Sequence, residues 1–381
     1  MSSKLLEVVL VFGILVLLVA GFTPSWTQTS ATTNKSWLNV ATSADGKIVC
    51  VITSGTPALL STNGGKIWTT NGNLTAYISI AASADGTKLI MNAWTNSGTY
   101  ILVSTNTGST WKQTILPNGD WWPVASSADG ARLVAAIYGG FIYVSTNSGT
   151  TWNTNTALSK HWTALASSAD GNQVVAAATG DKIYISTNSG LNWTATGAPT
   201  KSWRSICSSS NGKILAATDD VGIYISTNSG GTWTTTNIVG QTIACSADGT
   251  KLVIAGDQIW TSADSGMTWA TNNAPNVPSS WYGVASSADG CKLVAVNRFF
   301  MGIWVGQITP SPQLNLQPTN GNFALSWIVP STNFILEQNL DLSTANWASL
   351  TNVPALNLTN LQEQVSLPVT NGNGFFRLIA Q

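Results

Sequence analysis

The sequence predicts an all-β chain, a seven-bladed β-propeller whose last blade is closed by an N-terminal strand, followed by a small β-sandwich. Three observations predict it. A short phrase ending in tryptophan returns six times, from Ser61-Thr-Asn-Gly-Gly-Lys-Ile-Trp68 to versions closing at Trp111, Trp152, Trp193, Trp233 and Trp269, with a period near 40 residues. A second phrase, Ser-Ala-Asp-Gly or a near relative, keeps the same beat at Asp45, Asp85, Asp129, Asp170, Asn211, Asp248 and Asp289, which makes seven units. Between these phrases lie short β-branched runs separated by polar turns. Four short strands per unit at such a period describe propeller blades.

The third unit shows how a blade is written. Trp121-Trp-Pro-Val-Ala-Ser-Ser is strand a, and Ala128-Asp-Gly is a turn, with Asp supplying local hydrogen bonds and Gly tolerating positive φ. Arg132 to Tyr138 is strand b, Gly139-Gly140 turns the chain, and Phe141 to Ser145 is strand c. The Asn147-Ser-Gly149 hairpin then leads into strand d through Trp152.

Unit seven lacks its closing phrase, and the missing piece lies at the other end of the chain. Trp26 precedes Trp37 by 11 residues, close to the 10 that separate Trp152 from Trp162 and Trp193 from Trp203. The segment around Trp26 therefore supplies strand d of the last blade and removes an exposed sheet edge. From about Pro310 the beat stops. The expected organisation is residues 1–21 as a leader, 22–308 as the propeller, 309–313 as a linker and 314–381 as the β-sandwich, with alternating runs such as Phe323-Ala-Leu-Ser-Trp327.

Composition narrows the function classes. Charged residues make up 8% of the chain and the formal net charge is zero, so the surface does not attract a phosphate backbone and nucleic acid is not an expected partner. The apolar run from Val8 to Ala20 after Lys4 has the length of a signal-peptide core, with an uncleaved membrane anchor as the alternative. Either way the body is expected outside the cytoplasm, and the chain is expected to be a monomer. Cys50, Cys207, Cys245 and Cys291 sit in four units at four offsets from the turn motif, which fits buried free thiols better than a framework of bridges. His161 is the single histidine, and no pair at metal-ligand spacing occurs, so neither a metal nor another cofactor is expected.

The c–d hairpin phrase resembles the Asp-box, or bacterial neuraminidase repeat, S-x-D-x-G-x-T-W. Ser262-Ala-Asp264-Ser-Gly266-Met-Thr268-Trp269 matches every fixed position, while Asn63, Asn106, Asn147, Asn188 and Asn228 stand where Asp is usual. An Asn oxygen can accept the same turn N–H groups. The resemblance implies a structural role for these residues and for Trp68, Trp111, Trp152, Trp193, Trp233 and Trp269. It also brings sialidases into view, but Arg132, Arg204 and Arg298 occupy unrelated blade positions, and the propeller has no glutamate to activate a nucleophilic tyrosine. Residues 26 to 308 are also similar to propellers of the photosystem II stability and assembly factor type, which implies a non-catalytic, protein-binding role. The ending Asn371-Gly-Asn-Gly-Phe375-Phe-Arg-Leu378 resembles the C-terminal β module of secreted proteins from environmental bacteria.

If the a–b turns and c–d hairpins share one face, the b–c and d–a loops form the other, and those loops vary. They carry Trp94, Tyr138, Asp181, Asp219, Asp220, Asp257, Arg298, Phe299 and Phe300, and Trp122 and His161 lie close to the same face. Aromatics there can stack on sugar rings or grip a protein, since they offer large apolar area at little entropic cost. The acids of units four to six support the alternative, a glycoside hydrolase or lyase with a carboxylate pair. The strand-a position held by Trp37, Tyr77, Trp121, Trp162, Trp203 and Trp281, and by Gly240 in unit six, recurs and is expected to pack between blades.

Overall fold

The computed structural model describes residues 24–31, 35–95, 98–272, 274, 281–298, 302–308, 314–319, 322–330, 334–340, 343–344, 346–368 and 375–380. The expected leader 1–21 and linker 309–313 lie outside them. Every described element is a β-strand or turn, and every pairing is antiparallel.

The a–b turns build the hub. In each, a serine hydroxyl donates to the Asp or Asn two residues on, as Ser127 Oγ does to Asp129 Oδ1 at 2.5 Å. The Asp carboxylate in turn accepts the N–H of Ala131 at 2.9 Å. The following glycine is left-handed, at φ 62° for Gly130, where a Cβ would also strike the Lys88 side chain. The residue between serine and Asp then links the units. Ala44 N–H donates to Ala84 O, Ala84 to Ala128, Ala128 to Ala169, Ala169 to Ser210, Ser210 to Ala247, Ala247 to Ala288, and Ala288 back to Ala44, at 2.7–2.8 Å. This closed circuit of seven backbone hydrogen bonds is a ring.

In four units a long side chain at the start of strand b latches the unit to the next. Lys88 Nζ donates to Asp129 O at 2.9 Å, Arg132 Nη1 to Asp170 O at 2.8 Å, Gln173 Nε2 to Gly212 O at 2.5 Å and Lys251 Nζ to Asp289 O at 2.6 Å. Arg132 is thus a structural strut. The strand itself begins one residue later than the sequence predicts, at Leu133, because the Arg132 N–H is used to close the turn on Ser127 Oγ. Strands b and c of this unit also run on as Leu133–Ser145, with register shifts about Gly140.

The strands form sheets radiating from the hub. Three units, for example Ser205–Ser208, Leu215–Thr218, Ile223–Ser226 and Thr234–Thr236, are separate four-stranded sheets. In other places a long strand such as Thr69–Ala82 or Asn153–Ser167 serves as strand d of one unit and strand a of the next. The N-terminal strand Ser25–Gln28 pairs with Ile303–Gln307 in the register Trp26↔Gly306, outside Lys292–Asn297 and Trp281–Ser286. It completes the last sheet, with Trp26 stacked on Trp281 at 6.4 Å between ring centroids.

Between sheets the core is tryptophan and small aliphatics. Trp37, Trp121, Trp162, Trp203 and Trp281 are fully buried, each wedged between the preceding unit and its own. The side chain of Tyr77 lies outside the described residues.

The C-terminal segment forms a four-stranded and a three-stranded sheet sharing one core around Leu325, Trp327, Leu336, Val365 and Leu367. It touches the ring at the hub: Val329, with Ile328, Leu358 and Leu361, packs on Ala44, Ala84, Ala128, Ala169, Ala247 and Ala288. The small β-sandwich therefore covers the turn-side end of the ring axis.

Candidate functional site

The two faces of the ring are distinct. In six units the left-handed residue of the c–d hairpin donates its N–H to the a–b turn of the same unit, as Ser148 does to Ala131 O at 2.8 Å and Ser229 to Lys213 O at 2.9 Å. The two kinds of turn therefore share a face, and the b–c and d–a loops form the opposite one.

On the turn face the hairpins are nearly identical. Asn147 Oδ1 accepts the Thr151 N–H at 2.8 Å, Ser145 Oγ accepts Gly149 N–H at 2.9 Å, and Trp152 Nε1 donates to Gly149 O at 3.1 Å. The same acceptor role falls to Asn63, Asn106, Asn188, Asn228 and Asp264 at 2.8–2.9 Å. Trp68, Trp193, Trp233 and Trp269 make the same indole bond at 2.9–3.1 Å, and Trp111 is half-buried. Amide and carboxylate do the same work at this turn, so these side chains are committed to the scaffold.

The loop face is irregular. Trp122 from strand a of unit three, Tyr138 from its b–c turn and His161 from the entry to unit four form a continuous row. Ring centroids are 4.7 Å apart for Trp122 and Tyr138, and 4.8 Å for Tyr138 and His161. Backbone geometry sets this up: Tyr138 pairs with His161 across strands Leu133–Ser145 and Asn153–Ser167, and left-handed Gly139 at φ 75° follows. Trp122 and Tyr138 are half-buried and His161 is exposed, so the row presents ring surface to solvent.

Beside this row the acids are already engaged. Asp181 pairs with Lys160 at 2.7 Å and accepts the Lys182 N–H at 2.7 Å and the Tyr184 hydroxyl at 3.2 Å. Burial works to raise its carboxyl, but the Lys160 bond, the Lys182 N–H and the Lys160 charge outweigh it and hold the group below the ordinary carboxylate range. Asp219, 2% exposed, accepts the N–H groups of Val221 at 2.8 Å and Gly222 at 2.7 Å, with Lys201 at 3.5 Å and the Tyr224 hydroxyl at 3.4 Å. Asp220 is paired with Arg204. Units four and five thus repeat one arrangement, a lysine and a strand-c tyrosine around a loop Asp.

Asp257 is exposed in the b–c loop of unit six. Arg298 lies over the Tyr282 ring at 5.0 Å, on unit seven. Trp94 pairs with Thr99 through its backbone, but its side chain, like Phe299 and Phe300, lies outside the described residues. Among the described residues no three His, Cys, Asp or Glu side chains gather as a metal-binding group.

The partners Lys160, Lys201, Tyr184, Tyr224 and Tyr282 were not singled out from sequence. A signal for the first four exists: lysine stands two residues before Trp162 and before Trp203, and Ile-Tyr-Ile-Ser occurs in strand c of both units.

No protein-family model and no curated protein matches the chain. Solved structures do. A YCF48 structure with bound D1 peptide aligns with a TM-score of 0.57 at 17% identity, covering 76% of this chain and 98% of that one. YCF48 from Cyanidioschyzon merolae gives 0.56 at 15%, covering 74% and 98%. A GH74 xyloglucanase from Xanthomonas campestris gives 0.61 at 14%, covering 80% of this chain and 59% of the xyloglucanase. At these identities the likeness is one of fold, and the chain is similar to both as an all-β propeller.

Proposed function

We propose that the chain is an exported, non-catalytic, seven-bladed Asp-box propeller that binds a glycan or protein through its b–c and d–a loop face. The observation that carries this reading is the row Trp122–Tyr138–His161, three rings in contact across two units at a place where, among the described residues, no other unit repeats them. A half-exposed aromatic row offers apolar area with few rotamers to freeze, the property that both sugar stacking and peptide grip require. The flanking ion pairs Lys160–Asp181 and Arg204–Asp220 would supply a polar rim. Residues 1–21 would direct export or anchor the chain. The neighbours are compatible with either a binding module or a hydrolase, one being a structure with a bound peptide and another a xyloglucanase.

Hydrolysis is the second reading, and the loop acids argue less well for it. A general acid needs a carboxyl raised towards neutrality, whereas the Asp181 carboxyl is held low and Asp219 closes its own loop. The test is to probe glycan and peptide arrays with the full chain, and to assay a polysaccharide and sialoside panel with wild type and Asp219→Asn/Asp220→Asn. Array binding without turnover supports the binding module; turnover lost in the double variant overturns it.

A further inference from the structure

The ring pattern fails at the wall between units five and six. At the neighbouring wall, Trp203 packs between Val175, Ala177 and Ile183 of unit four and Leu215 and Ala217 of unit five. In unit six the equivalent position is Gly240, and Ile254 fills the space that a Cβ there would need. That wall is therefore built from Ala216, Ile223 and Ile225 against Ile243, Leu252 and Ile254, with no strand-a tryptophan.

Two free thiols stand at this same wall. Cys207 and Cys245 are half-buried on the strands Ser205–Ser208 and Thr242–Cys245, which pack together without sharing a hydrogen-bonded ladder. Both line one cavity of about 260 Å³ inside the ring, together with inner-strand residues such as Ile206 and Ala244. Both also pack against the same apolar cluster of this wall, and the Cys245 side chain, with burial, pushes the Cys207 thiol well up. Their offsets from the turn differ by one residue, which hides from the sequence that both line the same cavity.

We propose that Cys207 and Cys245 are a disulfide-forming pair that staples unit five to unit six across a wall where Gly240 replaces the strand-a tryptophan. The oxidant is a small-molecule disulfide. One thiolate attacks its S–S bond, forming a mixed disulfide and releasing one thiol; the second thiolate attacks the protein-bound sulfur and releases the other. The Cys207–Cys245 bond forms, the small disulfide gains two electrons, and the two protein protons pass to the two released thiols. Cys50 and Cys291 serve as internal standards: each is 1% exposed, against half-buried Cys207 and Cys245, so neither meets a small-molecule disulfide.

The test is to treat the full-length protein with glutathione disulfide at mildly alkaline pH, denature it, alkylate the remaining thiols and map peptides by mass spectrometry. The expected product is a Cys207–Cys245-linked peptide about 2 Da lighter than its reduced parts, with Cys50 and Cys291 alkylated. Tm should rise by roughly 5 °C, because the bond closes a loop in the unfolded chain. Cys207→Ser and Cys245→Ala should each lose both the linked peptide and the Tm rise. Four alkylated thiols, or separate glutathione adducts on Cys207 and Cys245, overturn the pairing. A linked peptide with an unchanged Tm overturns the stapling role.

Discussion

The turn face and the loop face are made by the same strands, yet they obey different rules. On the turn face, position after position repeats: a serine, an Asp or Asn, a left-handed glycine, and a hub residue whose N–H joins the next unit. On the loop face, the equivalent connections hold a Tyr in unit three, buried Asp219 in unit five and Arg298 over Tyr282 in unit seven. Repetition costs a repeat protein its freedom, because each copy is bonded to the next. Positions that break the repetition are released from that duty and can meet a ligand.

The strongest way to break the comparison is to open the ring. Removing residues 22–33 takes away Ser25–Gln28, its ladder to Ile303–Gln307 and the Trp26 stack on Trp281. Loss of solubility, or a fall in stability of about 3 kcal/mol or more, is expected in thermal denaturation, since an unpaired edge and a cavity are left together. A soluble, fully stable truncation would show that the ring does not depend on its closure.

A single wedge comes next. Trp203→Ala empties a fully buried site between units four and five. It should cost about 3–5 kcal/mol in denaturant unfolding. The same change at half-buried Trp122 should cost much less, and equal losses would erase the distinction between scaffold and site.

The smallest effect sharpens the contrast between the ring and the covering C-terminal sheets. At Asp85, Asp129, Asp170 and Asp264 burial pulls upward most strongly, yet hydroxyl and N–H hydrogen bonds together outweigh it and keep each carboxyl below its ordinary 3.8. Their contribution is present above that value and is lost as pH falls through the lowered folded values. Glu363 behaves oppositely. Burial raises it above 4.5 in spite of the Trp327 Nε1 bond at 2.7 Å, so its contribution is present at low pH and is lost as pH rises through the folded value. Glu363→Gln should therefore raise Tm by about 1–2 °C at pH 7 and much less at pH 4. An identical shift at both pH values would contradict the assignment.

Much of the ring was legible in the sequence because its parts are local. The Ser-Ala-Asp-Gly turn, the Asn-x-Gly hairpin and the strand-a tryptophan each act within a few residues or at a fixed repeat spacing, and even the Trp26 closure kept the spacing. The aromatic row was legible only in part. Trp122, Tyr138 and His161 were marked as loop-face residues, but their mutual contact depends on the register shifts around Gly140, which no local pattern encodes. The engagement of Asp181 and Asp219 by Lys160 and Lys201 was hidden for a similar reason, since each pair joins a d–a connection to a b–c loop that lie about twenty residues apart in sequence. The packing of Val329 on the alanine hub was also hidden, because it joins two parts of the chain that share no pattern.

The most direct test of the account compares the two faces in one binding experiment. Wild type, Trp122→Ala/Tyr138→Ala and Asn147→Ala are applied to the same glycan and peptide arrays, with Tm measured for each. The account predicts that the loop-face pair abolishes the wild-type signal with little change in Tm. It predicts that Asn147→Ala, which loses the turn bond to Thr151, keeps the full signal at a cost of about 1 kcal/mol in stability. Retained binding in the loop-face pair, together with selective loss in Asn147→Ala, would place function on the turn face and contradict the account.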